Sequence, residues 1–266
     1  MDIIEKIVAT YSWQKAVGHE VRDTGLCRIV RDLDNPLIWD VNHISLIRAA
    51  SGEGIDRVFN DAADLLGDCG HTVVHVDPLT PPLVEARLAA ADYWDHTPIL
   101  QMVLSGPLEV SPKEFDIRPV TDPDDWTSLG EMMHENFLET GLTVSPELAL
   151  EISLGLLAAN RLKAPEFQFF IVRIEGQDCG YGGGGFCPGA MGIVEDIFTR
   201  PAFRSRGVAT AVIARAVDYA RSRGAEEIQI GAVTSGTAKH LYAALGFKPV
   251  CITRQYVKEK SRKESA

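Results

Sequence analysis

The sequence predicts an α/β (α+β) fold: a mixed, twisted sheet with helices on both faces, preceded by a smaller β-α-β-α-β unit. Three observations carry this. Residues 115–257 follow the order β-α-α-β-β-β-α-β-α-β, an antiparallel front joined to a β-α-β back. Residues 36–104 repeat the last half of that order. Between the two, SGPLEVSPKEF (105–115) places Gly106, Pro107 and Pro112 as a linker does. The 266 residues thus divide into a first unit at 1–110, a second at 111–258, and a frayed tail at 259–266.

In the first unit, LIWDVNHISLI, HTVVHVD and TPILQMVLS have the composition of strands. GIDRVFNDAADLLGDCG and PPLVEARLAAADYWD have the spacing of helices. The second unit opens with the strand FDIRPV (115–120) and helices at 123–139 and 146–160. Ser145-Pro146 starts the latter with an N-cap followed by proline at the first helical position. FQFFIVRIE (167–175), DCGYGGGGF (178–186) and MGIVEDIFT (191–199) form successive strands. A helix then spans 207–223. Its Val208, Val212, Ile213, Ala216, Val217 and Ala220 recur at three- and four-residue steps and face a sheet, and Gly224 stops it. EEIQIGAV (226–233), TAKHLYAALG (237–246) and FKPVCITRQYV (247–257) complete the order as strand, helix and strand.

The charge of -11 is unevenly spread. Residues 1–110 carry 8 basic and 17 acidic side chains (8 − 17 = −9), and residues 111–266 carry 18 and 20 (18 − 20 = −2). An acidic front half argues against nucleic acid as a partner, because phosphate binding needs clustered Lys and Arg. It suits a cationic acceptor. No apolar run is long enough to span a membrane. MDIIEKIVATYSWQK, with acids beside its first apolar residues, is not read as a secretory signal, and we read the protein as cytoplasmic. The five cysteines are scattered without a CxxC pair, so reduced thiols are expected and no metal site. His71 and His75 would share a strand face roughly 13 Å apart, too far for one metal, and are read as structural.

The chemistry concentrates in VEDIFTRPAFRSRGVATAVIARAVDYARSRG. A strand ends at Thr199, a loop follows, and Gly207-Val208-Ala209 opens a helix. Backbone N–H groups at a helix start lack intrahelical partners and sit at the positive end of the dipole. Gly207 lets an oxygen approach, and Arg204 and Arg206 add positive charge, which together make a pyrophosphate cradle. There is no Gly-Lys-Ser/Thr ending and no GxGxxG fingerprint.

Arg204-Ser205-Arg206-Gly207-Val208-Ala209 resembles the R/Q-x-x-G-x-G/A loop of the GCN5-related N-acetyltransferases (GNAT). The acidic strand end Glu195-Asp196 and the run Leu241-Tyr242-Ala243-Ala244-Leu245-Gly246-Phe247 extend the likeness over about residues 115–257. The resemblance implies acetyl-CoA as cosubstrate and direct transfer, in a ternary complex, to a primary amine of a small molecule. It implies that backbone groups of Ile197, Phe198 and Thr199 pair with the pantetheine arm. Ser205, Arg206, Gly207, Val208, Ala209 and Thr210 would hold the pyrophosphate beside Arg204. Tyr242 would protonate the departing thiolate, and Glu195 would take a proton from the acceptor ammonium, which aminolysis of a thioester requires. Asp196, next along the strand, would point to the other face.

Where many members place an Asn, this chain has Thr234-Ser235-Gly236-Thr237, so that either Ser235 substitutes or the contact is absent. Ala209 replaces the last glycine of the loop. Gly182 to Gly185 lie within a strand and would leave room for the acceptor. Cys179 and Cys187 are read as packing residues, and His134 and His240 as structural. The first unit resembles the degenerate amino-terminal half of tandem members. Its RAASGEGIDR departs from the loop pattern and its Tyr93 is followed by WDHTP, so it would be a structural half-domain that shapes the acceptor cleft. The implied partners are acetyl-CoA and the amine, without nucleic acid or membrane, and the sequence allows a homodimer. Two rival readings are an acyl-CoA-binding regulatory module without catalysis and a transferase for longer acyl groups or a hydroxyl acceptor.

Overall fold

The computed structural model describes residues 1–141, 144–164 and 166–259. The first unit runs α1 (Ile3–Ala16), β1 (Glu20–Asp23), β2 (Arg28–Arg31), a 3-10 turn (Trp39–Val41), β3 (His43–Ser45), α2 (Gly52–Leu65), β4 (His71–Val76), α3 (Pro82–Ala90), β5 (Trp94–Asp95) and β6 (Ile99–Leu104). The second runs β7 (Asp116–Pro119), α4 (Pro123–Glu139), α5 (Pro146–Lys163), β8 (Phe167–Ile174), β9 (Gln177–Phe186), β10 (Gly192–Thr199), α6 (Val208–Ser222), β11 (Ile228–Val233), α7 (Ala238–Ala244) and β12 (Lys248–Glu259). The tail expected at 259–266 lies outside the described residues except for Glu259, which ends β12.

The twelve strands of the described residues join one mixed sheet, in the order β1-β2-β3-β4-β12-β6-β11-β10-β9-β8-β7, with β5 on β12. The sequence reading placed 97–105 in the first unit. In the sheet, β6 instead lies between β11 and β12, antiparallel to both. In return, the far half of β12 leaves the second unit, and Arg254 to Glu259 pair with β4. The exchanged strands are pinned by a buried polar chain. Gln229 Nε2 donates to Gln101 Oε1 (2.8 Å), and Gln101 Nε2 donates to Thr253 Oγ1 (2.9 Å). All three side chains are buried, so a slipped register would leave amides unpaired in an apolar layer.

Alternation along β8 feeds two core layers. Phe167, Phe169 and Ile171 join Leu129, Met132 and Met133 of α4 on one face. Phe170 and Val172 join Val208, Val212, Ala216 and Ala220 of α6 on the other. Ser145 caps α5 by accepting from the Leu148 N–H, and Gly224 follows α6 in the left-handed region at φ +104°, both as the sequence predicts. The first unit has its own core, in which Ile55, Val58 and Ala62 of α2 meet Ile29, Ile44 and Val74.

Helix α1, to which the sequence reading gave no element, spans both units. Asp2 and Glu5 form a reciprocal capping box at its start. Ile7 packs with Val103 and Met191, and Trp13 reaches β9, where a Cβ on Gly185 would lie 3.0 Å from its ring.

The glycine run in β9 corrects the expected room for the acceptor, because helix and rings already fill it. A Cβ on Gly180 would lie 2.7 Å from Val208 of α6, and one on Gly184 2.7 Å from the Ala216 carbonyl oxygen. On the opposite face, a Cβ on Gly183 would lie 2.1 Å from the Phe167 ring. These glycines set the close seat of α6 on the sheet. Gly184→Ala should therefore destabilise the fold by roughly 1–3 kcal/mol through overpacking against backbone, read as a lower urea midpoint with unchanged slope.

Candidate active site

Strands β10 and β11 run parallel in register from Gly192–Ile228 to Val194–Ile230 and then part. Beyond that point β11 continues against β6 and β10 continues against β9. Among the described residues, the backbone of β10 past Val194 therefore has no strand on the β11 side, a ready-made slot for an extended ligand. A bulge sits at its mouth, where the pairing passes from Glu195↔Gly183 to Phe198↔Tyr181 and β10 gains one residue. Asp196, at φ +58°, is that residue. It flips the parity of the strand beyond it, so that Ile197 packs with the α6 core and Phe198 with the α4 core.

The three residues expected along the slot are all found there. Phe198 is buried, and the buried Thr199 hydroxyl has no hydrogen-bond partner among the described residues. Ser205 (φ +61°) and Gly207 (φ +100°) turn the loop, with Gly207 as the N-cap of α6. The first N–H groups of α6 follow at Val208, Ala209 and Thr210. Exposed Arg204 donates to the Thr199 carbonyl (3.0 Å) and pairs with Glu139. Arg206 stacks over Phe203, 5.3 Å from its ring centre. The side chain of Lys113 lies against Gly207, where a Cβ would meet its Cδ at 3.4 Å. Lys113 belongs to the linker, and sequence reading missed it. Ser235 is an exposed turn residue beyond β11.

Tyr242 is buried on α7 against Phe247. Burial, and then the Glu195 carboxylate, push its phenol above the usual tyrosine value, so it holds its proton through the neutral range. Glu195 is half-buried beside the bulge. Burial, set against Lys15 and reinforced by Asp196 and Asp40, raises its carboxyl to about 7. A carboxylate tuned near neutrality and acting on a protonated phenol has the properties of a base–acid pair.

Four further charged residues surround Glu195, and none was singled out as functional from the sequence. Lys15 of α1 is buried and its Nζ lies 2.7 Å from Asp40 Oδ2, on the 3-10 turn. Burial works against the lysine's charge, yet Asp40, with Tyr11, Glu195 and Asp196, holds its pKa well above the ordinary value. Burial likewise opposes ionisation of Asp40, but Lys15 and Lys163 keep its carboxyl below the usual range. Lys163 ends α5 and Asp196 is the bulge residue; both line a cavity of about 120 Å³ with Asp40, Asn136, Asn160 and Tyr181. The expectation that Asp196 turns away from Glu195's surroundings is corrected by the bulge, because both carboxylates act on the same two lysines. Nearby His43 and His75 stack with ring centres 4.2 Å apart, and burial lowers both pKa values, that of His75 to about 4. No group of three or more metal-ligating side chains occurs among the described residues. No helix there is long and apolar enough to cross a membrane.

The first unit repeats the slot in outline. Its β3 and β4 pair in parallel at Ile44–Val74, and Leu46, two residues on, has φ +49°, as Asp196 lies two residues past Val194. There α1 occupies the gap: Val8, Tyr11 and Ser12 leave only about 10 Å³ beside Ser45, His75 and Thr253. Arg48 bridges to Asp77 (3.2 Å), tying the chain just after β3 to the chain just after β4.

Residues 126–247 match the sequence profile described as the acetyltransferase (GNAT) family. The fold is similar to that of the GCN5-related N-acetyltransferase from Kribbella flavida (TM-score 0.72, 10% identity, covering 97% of this chain and 96% of that one). It is similar also to a functionally unknown conserved protein from Staphylococcus epidermidis ATCC 12228 (TM-score 0.69, 10% identity, 92% and 95%). A tandem GNAT protein from the clavulanic acid biosynthesis pathway aligns at TM-score 0.57 with 14% identity, over 82% and 75%. At these identities the likeness is one of fold. No curated protein matches the sequence.

Asp40→Asn would leave buried Lys15 without its partner. It should cost about 1–2 kcal/mol, allowing for solvent at the aspartate, and lower the thermal midpoint. Adding Lys15→Met should recover most of that loss.

Proposed function

From the match of residues 126–247 to the acetyltransferase (GNAT) family, we propose that the protein transfers an acetyl group from acetyl-CoA to the primary amine of a small molecule by direct attack. The observation that carries this reading is the parting of β10 from β11 directly beside Glu195, with Tyr242 buried within the electrostatic reach of the same carboxylate. The pantetheine arm would lie along Ile197 to Thr199, using backbone groups that no strand engages and the unpartnered Thr199 hydroxyl. The pyrophosphate would rest on the amino terminus of α6, where Gly207 offers no Cβ and Arg204, Arg206 and Lys113 supply positive charge. Ser235 would mark the far rim.

In the reaction, Glu195 takes a proton from the acceptor ammonium, directly or through water. The amine nitrogen attacks the thioester carbonyl carbon, the C–N bond forms, and the C–S bond breaks. Tyr242 gives its phenolic proton to the departing sulfur, and the second proton that the nitrogen sheds on becoming an amide restores the phenol, directly or through water. Burial suits Tyr242 to this step by keeping it protonated until sulfur carries charge. The first unit acts as scaffold in this reading, with its equivalent slot filled by α1 and with Lys15 and Asp40 lent to the second unit's site.

Calorimetric titration with acetyl-CoA tests the cofactor site. Wild type should bind, and Gly207→Glu, which sets a carboxylate where phosphate should rest, should bind about a hundredfold more weakly or not at all. If neither protein binds acetyl-CoA, the reading fails.

Thiol release tests the two side chains. Below about pH 7 Glu195 carries its proton and cannot accept another, so kcat/KM should rise with pH through about 7 and then level. Glu195→Gln should remove that limb. Tyr242→Phe should lower kcat by about 10²-fold or more while acetyl-CoA binding persists.

A further inference from the structure

Two opposite charges face one cavity without meeting. Lys163 is 3% exposed, lines the 120 Å³ cavity, and makes no side-chain hydrogen bond or ion pair among the described residues. Asp196, on the wall of the same cavity, likewise makes no side-chain hydrogen bond or ion pair among them. Lys15 and Asp40 beside them satisfy each other at 2.7 Å. A buried ammonium with nothing to bind is costly, and natural sites keep one where a ligand completes it.

We propose that this cavity is the acceptor site and that it selects a small zwitterion, a free amino acid whose carboxylate pairs with Lys163 while its amino group sits by Asp196 and Glu195. This rests on the transferase reading above and adds the substrate class to it. The polarity of the walls supports the assignment. Asn160, 4% exposed, stands three residues before Lys163 on α5 and so on the same helix face, a second donor for a carboxylate. The amino end lies toward the bulge, adjacent in sequence to the candidate base. Ile38, Met133 and Leu156 give the cavity apolar wall beside Asp40, Asn136 and Thr140, and its volume of about 120 Å³ suits a compact side chain rather than a sugar or a polyamine. A second ammonium in place of the carboxylate would face Lys163 and be repelled.

Burial, and then Lys15, lower the Lys163 pKa, while Asp196, Asp40 and Glu195 raise it. An arriving carboxylate adds one more negative charge on the side that favours the ammonium.

The test uses the full chain and matched acceptor pairs: alanine with ethylamine, leucine with isoamylamine, and each amino acid with its carboxamide. Thiol release from acetyl-CoA should favour the amino acid in each pair by about tenfold or more in kcat/KM, the worth of one charge-assisted contact. In Lys163→Met, and in the milder Lys163→Gln, the ratio within each pair should fall toward one while calorimetry still shows acetyl-CoA bound. Equal or better use of the descarboxy amines by wild type overturns the proposal without touching the transferase reading. So does a preference that survives in both variants. If no acceptor releases thiol although acetyl-CoA binds, the transferase reading fails, and calorimetry with the amino acids alone decides the site. Binding that is lost in Lys163→Met supports it, and no binding to wild type overturns it.

Discussion

The chain Gln229–Gln101–Thr253 holds three strands from two units in one register, and the rest of the molecule depends on that arrangement. Buried amides tolerate few pairings, since each donor and acceptor left over in an apolar layer carries a desolvation cost. By bonding β11 to β6 and β6 to β12, the three side chains tie the exchanged strands together through two buried hydrogen bonds. With β6 inserted in the second unit and the end of β12 delivered to the first, the two sheets become one. The first unit is then held edge-on to the second, and α1 lies across the junction.

That junction explains why the candidate site draws on parts so distant in sequence. Lys15 comes from α1, Asp40 from a 3-10 turn, Lys163 from the end of α5, and Glu195 and Asp196 from the bulge in β10. Lys15 and Lys163 would each be an expensive buried charge alone. Burial, set against the two lysines and reinforced by Asp196 and Asp40, raises the Glu195 carboxyl to about 7, as the proposed conversion of ammonium to amine would require. The two slots share a backbone plan and differ in what fills them. Both open after a short parallel pairing, and both place a non-glycine residue at positive φ two positions on. One has no pairing strand beyond Val194 among the described residues and lies next to charged groups, and the other is packed by Val8, Tyr11 and Ser12. The same backbone device thus serves as a slot in one half and as a seat for a helix in the other.

Much of this was legible because it is local. Ser145-Pro146, Gly224 and the apolar stripe of α6 announce their elements through nearest neighbours alone, and Gly207 marks a loop that must turn left-handed before a helix. Helix α1 was not legible because it buries Thr10, Ser12, Gln14 and Lys15 as well as Ile7 and Val8, so no apolar stripe stands out. Its Asp2–Glu5 capping box was the one local signal. Lys163 and Asp40 gave none, since their meaning arises from burial and from each other. Asp196 misled for a definite reason: strand parity holds only until a residue is inserted, and here the inserted residue is Asp196 itself. The glycines of β9 misled in another way. An absent side chain signals space, but only the fold says what takes it, and α6 and Phe167 do.

The exchanged strands also bear on how the protein is made. Translation delivers β4 well before its antiparallel neighbour β12, with pairings as distant as His71 to Glu259. While the ribosome is still adding the second half, the nascent first half has a bare sheet edge at β4, and β6 waits for both of its future neighbours. Neither half can be completed and released as a finished module before the other exists. The order of synthesis thus leaves an exposed edge to be protected until β12 emerges, the situation in which a growing chain depends on rapid closure or on a chaperone to avoid edge-to-edge association.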